Sequence, residues 1–279
     1  TSTRGDMSIF EPLLLEIKQN KKIDYKLFVY GTHLEKNYGN TINEVKRSNF
    51  KITAKFKTVD KVDNLLGQLN SIYKTQKKIN NVFKNHKFDA VVILGDRIER
   101  LPIITSSIIY RKPIIHIHGG EITEGVLDDQ VRHMITKSAH LHFTICNQYK
   151  RNILNLSEEK FRVHNVGSLG VENLLKIRTK LAQNHLRKNQ VILTYHPETI
   201  NKDFNWKKNF SLIVTALNKF NFKFIITSPG HENKSSEYIS FIKKTVKNNK
   251  KFKFIKSLGS KYYFNFLNNT LFVIGNSSS

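Results

Sequence analysis

Short runs of apolar, largely β-branched residues alternate with longer amphipathic stretches along most of this chain. Such alternation is typical of βαβ units, in which parallel strands are buried between helices. We therefore predict an α/β fold with strands at residues 26–30, 90–94, 113–117, 141–145 and 162–166, and again at 190–195, 223–227, 252–255 and 271–274. Helices are predicted between them at 8–19, 62–85, 97–110, 128–138, 148–156, 206–220, 235–248 and 261–268.

The length of 279 residues is more than one compact core usually holds, and a polar, helix-like bridge at 171–188 separates two series of strands. We predict two doubly wound domains, 1–170 and 188–279, with a ligand cleft at the carboxyl ends of their strands. The chain begins at Thr1 and stops directly after a strand pattern. We therefore expect a fragment with a truncated second domain, whose natural sequence continues beyond Ser279.

The chain carries 46 basic and 22 acidic residues, a formal net charge of +24. A basic surface can bind nucleic acid, but both halves are basic and only 10 of the 46 cations are Arg. Arg is the preferred contact for phosphates and base edges, so this pattern indicates a solvated surface and no nucleic-acid partner.

The single cysteine, Cys146, excludes an internal disulfide and a zinc site built on several thiolates. No apolar run reaches the length of a membrane helix, and we expect no signal peptide. We expect a cytoplasmic protein without membrane contact.

Acidic residues follow two neighbouring strands. Asp96 comes after the 90–94 run, where it either faces the cleft or caps the next helix. Glu121 follows Gly119-Gly120, and such a glycine pair lets the backbone approach a ligand closely. A metal bound by His116, His118 and Glu121 is an alternative, although buried strands often contain histidines without one.

Two further acids, Asp128 and Asp129, open a predicted helix. The i, i+4 spacing places Arg132 above Asp128 and His133 above Asp129. Carboxylates that lie close together raise one another's pKa, which suits a site that moves protons near neutral pH.

Candidate anion sites lie in both halves. Thr3-Arg4-Gly5 precedes the first predicted helix, while Tyr195-His196-Pro197-Glu198-Thr199 and Gly275-Asn276-Ser277-Ser278-Ser279 follow strands. Small hydroxyl residues after a strand can present backbone N–H groups to phosphate. Neither GxGxxG nor GxxxxGK[ST] occurs, so nicotinamide and P-loop binding have no support.

Several short strings together resemble one known family. They are, in chain order, Ser2-Thr3-Arg4-Gly5-Asp6, Gly39-Asn40-Thr41-Ile42, Gly95-Asp96-Arg97-Ile98-Glu99, residues 116–121, residues 128–133 with Ile135-Thr136-Lys137, residues 195–199 and residues 275–279. The family is that of the hydrolysing UDP-N-acetylglucosamine 2-epimerases of sialic and legionaminic acid biosynthesis.

The resemblance implies two Rossmann-like domains in the GT-B arrangement and no cofactor or metal. It implies removal of UDP from a UDP-HexNAc sugar with inversion at C2, by elimination and then addition of water. The catalytic carboxylates would be Asp96, Glu121 and Asp128, with Asp129 as the alternative to Asp128. The diphosphate contacts would be Arg4, His196, Ser277 and Ser278. Arg132 and His133 match a motif beside the carboxylates, Arg132 as a further substrate-binding residue and His133 as a further catalytic one.

The nucleotide-sugar substrate is thus the expected partner, and the resemblance leaves a homo-oligomer open. Ser228-Pro229-Gly230-His231-Glu232 stands where many members carry an Asn-Ala-Asp type segment, so the sugar is not fixed. The alternatives are a non-hydrolysing 2-epimerase, a GT-B glycosyltransferase and a basic nucleic-acid binding module. The His118-Gly119-Gly120-Glu121 string favours hydrolysis over the first, and the clustered acids disfavour the second.

Overall fold

A computed structural model describes residues 1–124, 126–180, 189–196, 205–228, 235–256, 258 and 260–276. Its first half contains, in chain order, α1 Arg4–Gln19, β1 Leu27–Tyr30, α2 Ile42–Arg47, β2 Ile52–Phe56, α3 Leu65–Asn85, β3 Val91–Leu94, α4 Leu101–Ile109, β4 Ile114–Ile117, α5 Asp128–Ser138, β5 Leu141–Thr144, α6 Asn147–Asn155, β6 Val163–Asn165 and α7 Leu169–Lys180. The second half contains β7 Gln190–Thr194, α8 Trp206–Asn218, β8 Lys223–Thr227, α9 Ser235–Val246, β9 Phe252–Ile255, α10 Ser260–Asn269 and β10 Val273–Gly275.

All strand pairs among these elements are parallel. One sheet has the order β3-β4-β5-β6, a second has the order β10-β7-β8-β9, and β1 pairs with β2 alone. Parallel strands need crossover connections, which the helices provide, and helices on the sheet faces favour apolar strands. The α/β class is therefore confirmed.

Each half has its own apolar core. In the second half, Val191, Leu193, Phe224 and Ile226 of the sheet pack with helix residues such as Phe210. In the first half, one cluster joins α1 and β1 to the strand ends Leu94 and Ile117, and another packs β3 and β4 against α5. The strands that carry the candidate site are thus anchored from both faces.

Some elements differ from the sequence prediction. Strand β2 and helix α2 are not predicted, because both are short and mixed in polarity. The predicted helix at 8–19 begins at Arg4, since Thr3 caps it and Asp6 completes a capping box. The predicted helix at 97–110 begins as a 3-10 turn, Ile98–Arg100, and becomes α-helical at Leu101.

The bridge and the second half both contact the first half. Helix α7 lies against α1, where Asn173 donates to the Ser8 carbonyl at 2.6 Å. Ser236 of α9 donates to the Asp63 carboxylate, and Lys256 donates to the Lys36 carbonyl at 3.1 Å. Among the helices in the described part of the chain, none combines the length and the apolar character needed to cross a membrane.

Candidate active site

The carboxyl ends of β3 and β4 lie side by side and carry the two acids singled out in the sequence. At these ends the Gly95 amide donates to the Ile117 carbonyl at 2.9 Å, so the backbones stay paired beyond the strands. Asp96 follows Gly95 directly, and Glu121 lies in the loop after β4. The sheet therefore brings Asp96 and Glu121 to one edge, as parallel topology requires.

Arg132 of α5 is the centre of this cluster. Its side chain is 1% exposed, and both Nε (3.0 Å) and Nη2 donate to Oδ2 of Asp96. Nη1 donates to Asp129 Oδ1 and to the Glu121 carbonyl, each at 2.6 Å, while Nη2 reaches Thr123 Oγ1 at 3.2 Å. One buried guanidinium thus joins the end of β3, the loop after β4 and the first turn of α5.

Asp129 is tied into this network by a second contact. Its Oδ1 also accepts from the Thr123 amide at 3.2 Å, and its Oδ2 lies 4.0 Å from Nε2 of His133. The predicted pairing of His133 with Asp129 is therefore present as a long contact. Arg132 forms an ion pair with Asp129, three residues before it, whereas the i, i+4 spacing predicts a contact with Asp128.

Helix capping does not account for Asp96. The 3-10 turn after it has Arg97 in the cap position and α4 has Arg100, and neither shows a side-chain cap bond. The carboxylate of Asp96 is instead held by Arg132, at the open edge of the sheet. The cap interpretation of Asp96 is therefore wrong, and its position toward a ligand cleft stays a prediction.

Glu121 is partly buried beside these charges. Burial raises its pKa above the ordinary range; Arg132 opposes the rise, and the nearby charge of Asp96 adds to it. Asp96 is bound by a guanidinium, while Glu121 is a carboxyl that binds its proton more tightly than an exposed glutamate does. Two carboxyls in different surroundings at one site can divide the roles of proton acceptor and donor.

The glycine pair before Glu121 packs against protein. A Cβ on Gly119 would lie 2.8 Å from Nδ1 of His116, and one on Gly120 would lie 2.2 Å from the carbonyl oxygen of Tyr149 in α6. Gly120 also has a φ of +83°. These contacts make a tight turn beneath α6 that fixes the backbone at Glu121, and the approach of the glycine pair to a ligand stays a prediction.

The histidines of β4 have separate surroundings. His116 is buried, with Nε2 2.9 Å from the Gly95 carbonyl and Nδ1 3.3 Å from Thr136 Oγ1. Burial lowers its pKa to about 3, so the ring is neutral and joins β3, β4 and α5. His118 lies past the strand with a φ of 62°, and burial lowers its pKa against the opposing charge of Asp96. Within the described ranges, no group of three or more His, Cys, Asp or Glu side chains could hold a metal ion.

In the second half, two of the candidate anion segments meet. Because β10 pairs with β7, His196 and Asn276 are neighbours at the carboxyl ends of these strands. The His196 amide donates to Asn276 Oδ1 at 2.8 Å, and Asn276 Nδ2 donates to the His196 carbonyl at 2.7 Å. The predicted contacts Ser277 and Ser278 lie outside the described residues, as do 197–199 and 229–232.

Arg4 lies at the start of α1, not in a loop before it. Its charge acts on Tyr263 of α10, opposing the rise that burial causes in the pKa of that phenol. The start of α1 is therefore close to α10 in the second half.

Two groups of this region are missed by the sequence prediction. Thr123 contacts both Arg132 and Asp129, and no pattern marks a lone threonine in a loop. Asp6 and Arg100 form a buried ion pair close by. A signal for Asp6 exists, since Thr3 and Asp6 have capping-box spacing.

Comparison with known proteins bears on this site. Residues 15–279 match the family model described as UDP-N-acetylglucosamine 2-epimerase. The chain is 32% identical to a GDP/UDP-N,N'-diacetylbacillosamine 2-epimerase (hydrolyzing) of Campylobacter jejuni, over all of this chain and 74% of the relative. It is 28% identical to a UDP-N,N'-diacetylbacillosamine 2-epimerase (hydrolyzing) of Legionella pneumophila, over all of this chain and 75% of that relative.

Solved structures extend the comparison to the fold. The crystal structure of a Methanocaldococcus jannaschii UDP-GlcNAc 2-epimerase in complex with UDP-GlcNAc and UDP superposes with a TM-score of 0.82 at 18% identity, covering 99% of this chain and 77% of that one. At this identity the likeness concerns the fold, and it confirms two Rossmann-like domains of the GT-B type.

Proposed function

The chain belongs to the UDP-N-acetylglucosamine 2-epimerase family, and from this premise we propose that it is a hydrolysing 2-epimerase. It would convert a UDP-HexNAc, either UDP-GlcNAc or a 2,4-diacetamido-trideoxy relative, into UDP and the free C2 epimer. The observation that carries the proposal is the carboxylate pair Asp96 and Glu121, gathered at one sheet edge by the buried Arg132.

The proposed chemistry uses the different surroundings of these two carboxyls. Removing the weakly acidic proton at C2 needs a placed carboxylate, while UDP leaves with charge developing on the bridging oxygen. A second group then delivers water to the double bond. Glu121 is suited to exchange a proton because burial raises its pKa, and Asp96 is held in place by Arg132.

Asp128 is proposed as the third carboxylate. Asp129 is its neighbour, but its Oδ1 is shared between Arg132 and the Thr123 amide. A carboxylate engaged in this way holds the loop after β4 in place. We assign Asp129 and Arg132 to positioning. In this proposal Arg132 acts by holding Asp96 in place and does not bind the substrate itself. His133, whose side chain is 47% exposed, remains a candidate catalytic group.

The diphosphate is proposed to lie between the two halves, where Arg4, His196, Ser277 and Ser278 would bind it. Cationic and N–H groups at this place would stabilise the charge that develops as UDP leaves. Support comes from Arg4 at the start of α1, close to α10, and from the Asn276 bonds that fix the His196 backbone.

The assignment is tested by product analysis in heavy water. The purified protein is given UDP-GlcNAc, its 2,4-diacetamido-trideoxy relatives and the GDP-linked counterparts, and products are followed by NMR. We expect free nucleotide and a free sugar with inverted configuration and deuterium at C2. An epimerised sugar that stays joined to UDP would establish the non-hydrolysing reaction instead.

A further inference from the structure

A second buried arginine lies at the same edge of the sheet. Arg100 is 3% exposed and Asp6 is 7% exposed, and Nη2 of Arg100 donates to Asp6 Oδ2 at 2.6 Å. Burial would raise the pKa of Asp6, but Arg100 holds it below the ordinary range, so both groups are charged at neutral pH. Nothing in the proposed chemistry uses either group.

The other donors of Arg100 reach two further segments. Nη1 donates to Ser2 Oγ at 2.6 Å and to the Tyr30 hydroxyl at 3.0 Å, and Nε donates to the Leu94 carbonyl at 3.3 Å. Tyr30 ends β1, and Leu94 ends β3 immediately before Gly95 and Asp96. One side chain therefore joins the residues before α1, the end of β1 and the end of the strand that carries Asp96.

Asp6 in turn fixes the start of α1. Its Oδ2 accepts from the Ser2 amide at 2.8 Å, the Thr3 amide at 3.0 Å and Ser2 Oγ at 3.2 Å. Arg4 lies between Thr3 and Asp6 in the chain, so this carboxylate ties the backbone before Arg4 to the first turn of the helix that contains it.

We propose that the Asp6–Arg100 pair is a positioning unit. It fixes where Arg4, the proposed phosphate contact, lies relative to Asp96, the proposed reacting carboxylate. This inference rests on the proposed function. A buried ion pair adds little net stability compared with well-packed apolar residues, so stability alone does not explain its place. Its contacts explain it better, since they connect the segment of Arg4 to the end of β3.

The chain offers a matched control at the opposite edge of the same sheet. Glu158, with its side chain 3% exposed, is bound there by Lys137 at 2.6 Å and by Arg162 at 2.9 Å. Lys137 lies in the last turn of α5, whose first turn is at the candidate site. Arg162→Lys thus weakens an ion pair to a buried carboxylate away from the site, with an arginine whose side chain is 26% exposed.

The first test compares Arg100→Lys with Arg162→Lys. Lysine keeps the charge but cannot make the forked contacts to Asp6, Ser2 and Leu94. We expect both variants to lower the melting temperature, but only Arg100→Lys to weaken UDP binding and lower kcat, each by about tenfold. Equal kinetic effects, or none for Arg100→Lys, would overturn the proposal.

The second test is a double-mutant cycle on UDP affinity, measured by calorimetry. Arg4→Ala should weaken UDP binding by about tenfold in the wild type but by less than about threefold in Arg100→Lys, because Arg4 is already displaced there. Additive losses, or no loss from Arg4→Ala in the wild type, would contradict the positioning role. If Arg100→Lys does not fold, Tyr30→Phe removes one acceptor and takes its place in the cycle.

Direct measurement of UDP binding tests the positioning role of Asp6 and Arg100 separately from the proposed hydrolytic function. If the wild type binds UDP but its sugar product stays attached to the nucleotide, the hydrolytic function fails while the cycle still decides the role of Asp6 and Arg100.

Discussion

The two acids at the strand ends have the same chemistry but different surroundings. Asp96 is bound by a guanidinium, whereas Glu121 is partly buried and burial raises its pKa. Arg132 donates to the carboxylate of Asp96 but only to the backbone carbonyl of Glu121. The two neighbouring carboxyls therefore have different partners around one arginine.

The first prediction concerns pH. A base must be ionised, so the acid limb of kcat/KM should lie above the ordinary glutamate pKa of about 4.5, because burial raises that of Glu121. The folded state then binds this proton more tightly than the unfolded state, and stability falls as pH rises from the unfolded pKa through the folded one. Glu121→Gln should abolish turnover, retain UDP binding and remove this stability change.

Glu124→Gln serves as the control, because Glu124 is exposed in the same loop and should leave the pH profile unchanged. Normal turnover in Glu121→Gln would remove Glu121 from the proposed chemistry.

The second prediction separates positioning from substrate contact at Arg132. Arg132→Lys keeps a cation but loses the fork that binds Asp96, Asp129 and the loop. We expect kcat to fall by about a hundredfold while UDP affinity changes less than about twofold. Kinetics and calorimetry check this pair of values. A fall in UDP affinity with kcat retained would restore a substrate-binding role.

At the scale of elements, the sequence predicts most strands and helices because buried parallel strands are continuous apolar runs. It also predicts that Asp96 and Glu121 lie at one edge, since strand ends can be located from the runs. It does not predict the start of α1, where Gly5 interrupts the helical pattern, or the burial of Arg132. That burial depends on packing between α5 and two strand ends, which local patterns do not record.

The third prediction uses the glycines of this edge. Gly95 and Gly120 both have positive φ, but a Cβ on Gly95 would meet no atom within 4 Å, while one on Gly120 would lie 2.2 Å from a carbonyl oxygen. Gly95→Ala should cost about 1 kcal/mol from backbone strain alone. Gly120→Ala should cost several times more and reduce kcat, because α6 or the Glu121 loop must move.

Urea unfolding and kinetics on both variants give the comparison. Equal stability losses would show that the contact with Tyr149 does not constrain this turn.

At the scale of the whole molecule, the chain has a net charge of +24, but only a few of its residues are candidate phosphate contacts. The proposed diphosphate site contains Arg4 and His196, whereas lysines such as Lys21, Lys22 and Lys247 are exposed at the surface and have no proposed role in binding. The division into domains 1–170 and 188–279 remains a proposal, and contacts such as that of Asp63 with Ser236 join the two halves.

The fourth prediction follows from this separation. Replacing Lys21, Lys22 and Lys247 with Gln lowers the charge by three and should change UDP affinity by less than about twofold at physiological salt, where surface charges are screened beyond roughly 8 Å. Arg4→Ala, which removes one charge, should have a much larger effect. Calorimetry at two salt concentrations measures both, and a proportional dependence on net charge would contradict the local site.

The strand order β10-β7-β8-β9 has a consequence for how the protein is made. His196, next to β7, and its partner Asn276, next to β10, are 80 positions apart in the chain. At a synthesis rate of about 5–20 residues per second, β7 leaves the ribosome seconds before the strand that covers its edge. During that interval the edge of an apolar strand can pair with other chains. Nascent chains of this protein can therefore aggregate through this edge of β7 until β10 has been translated.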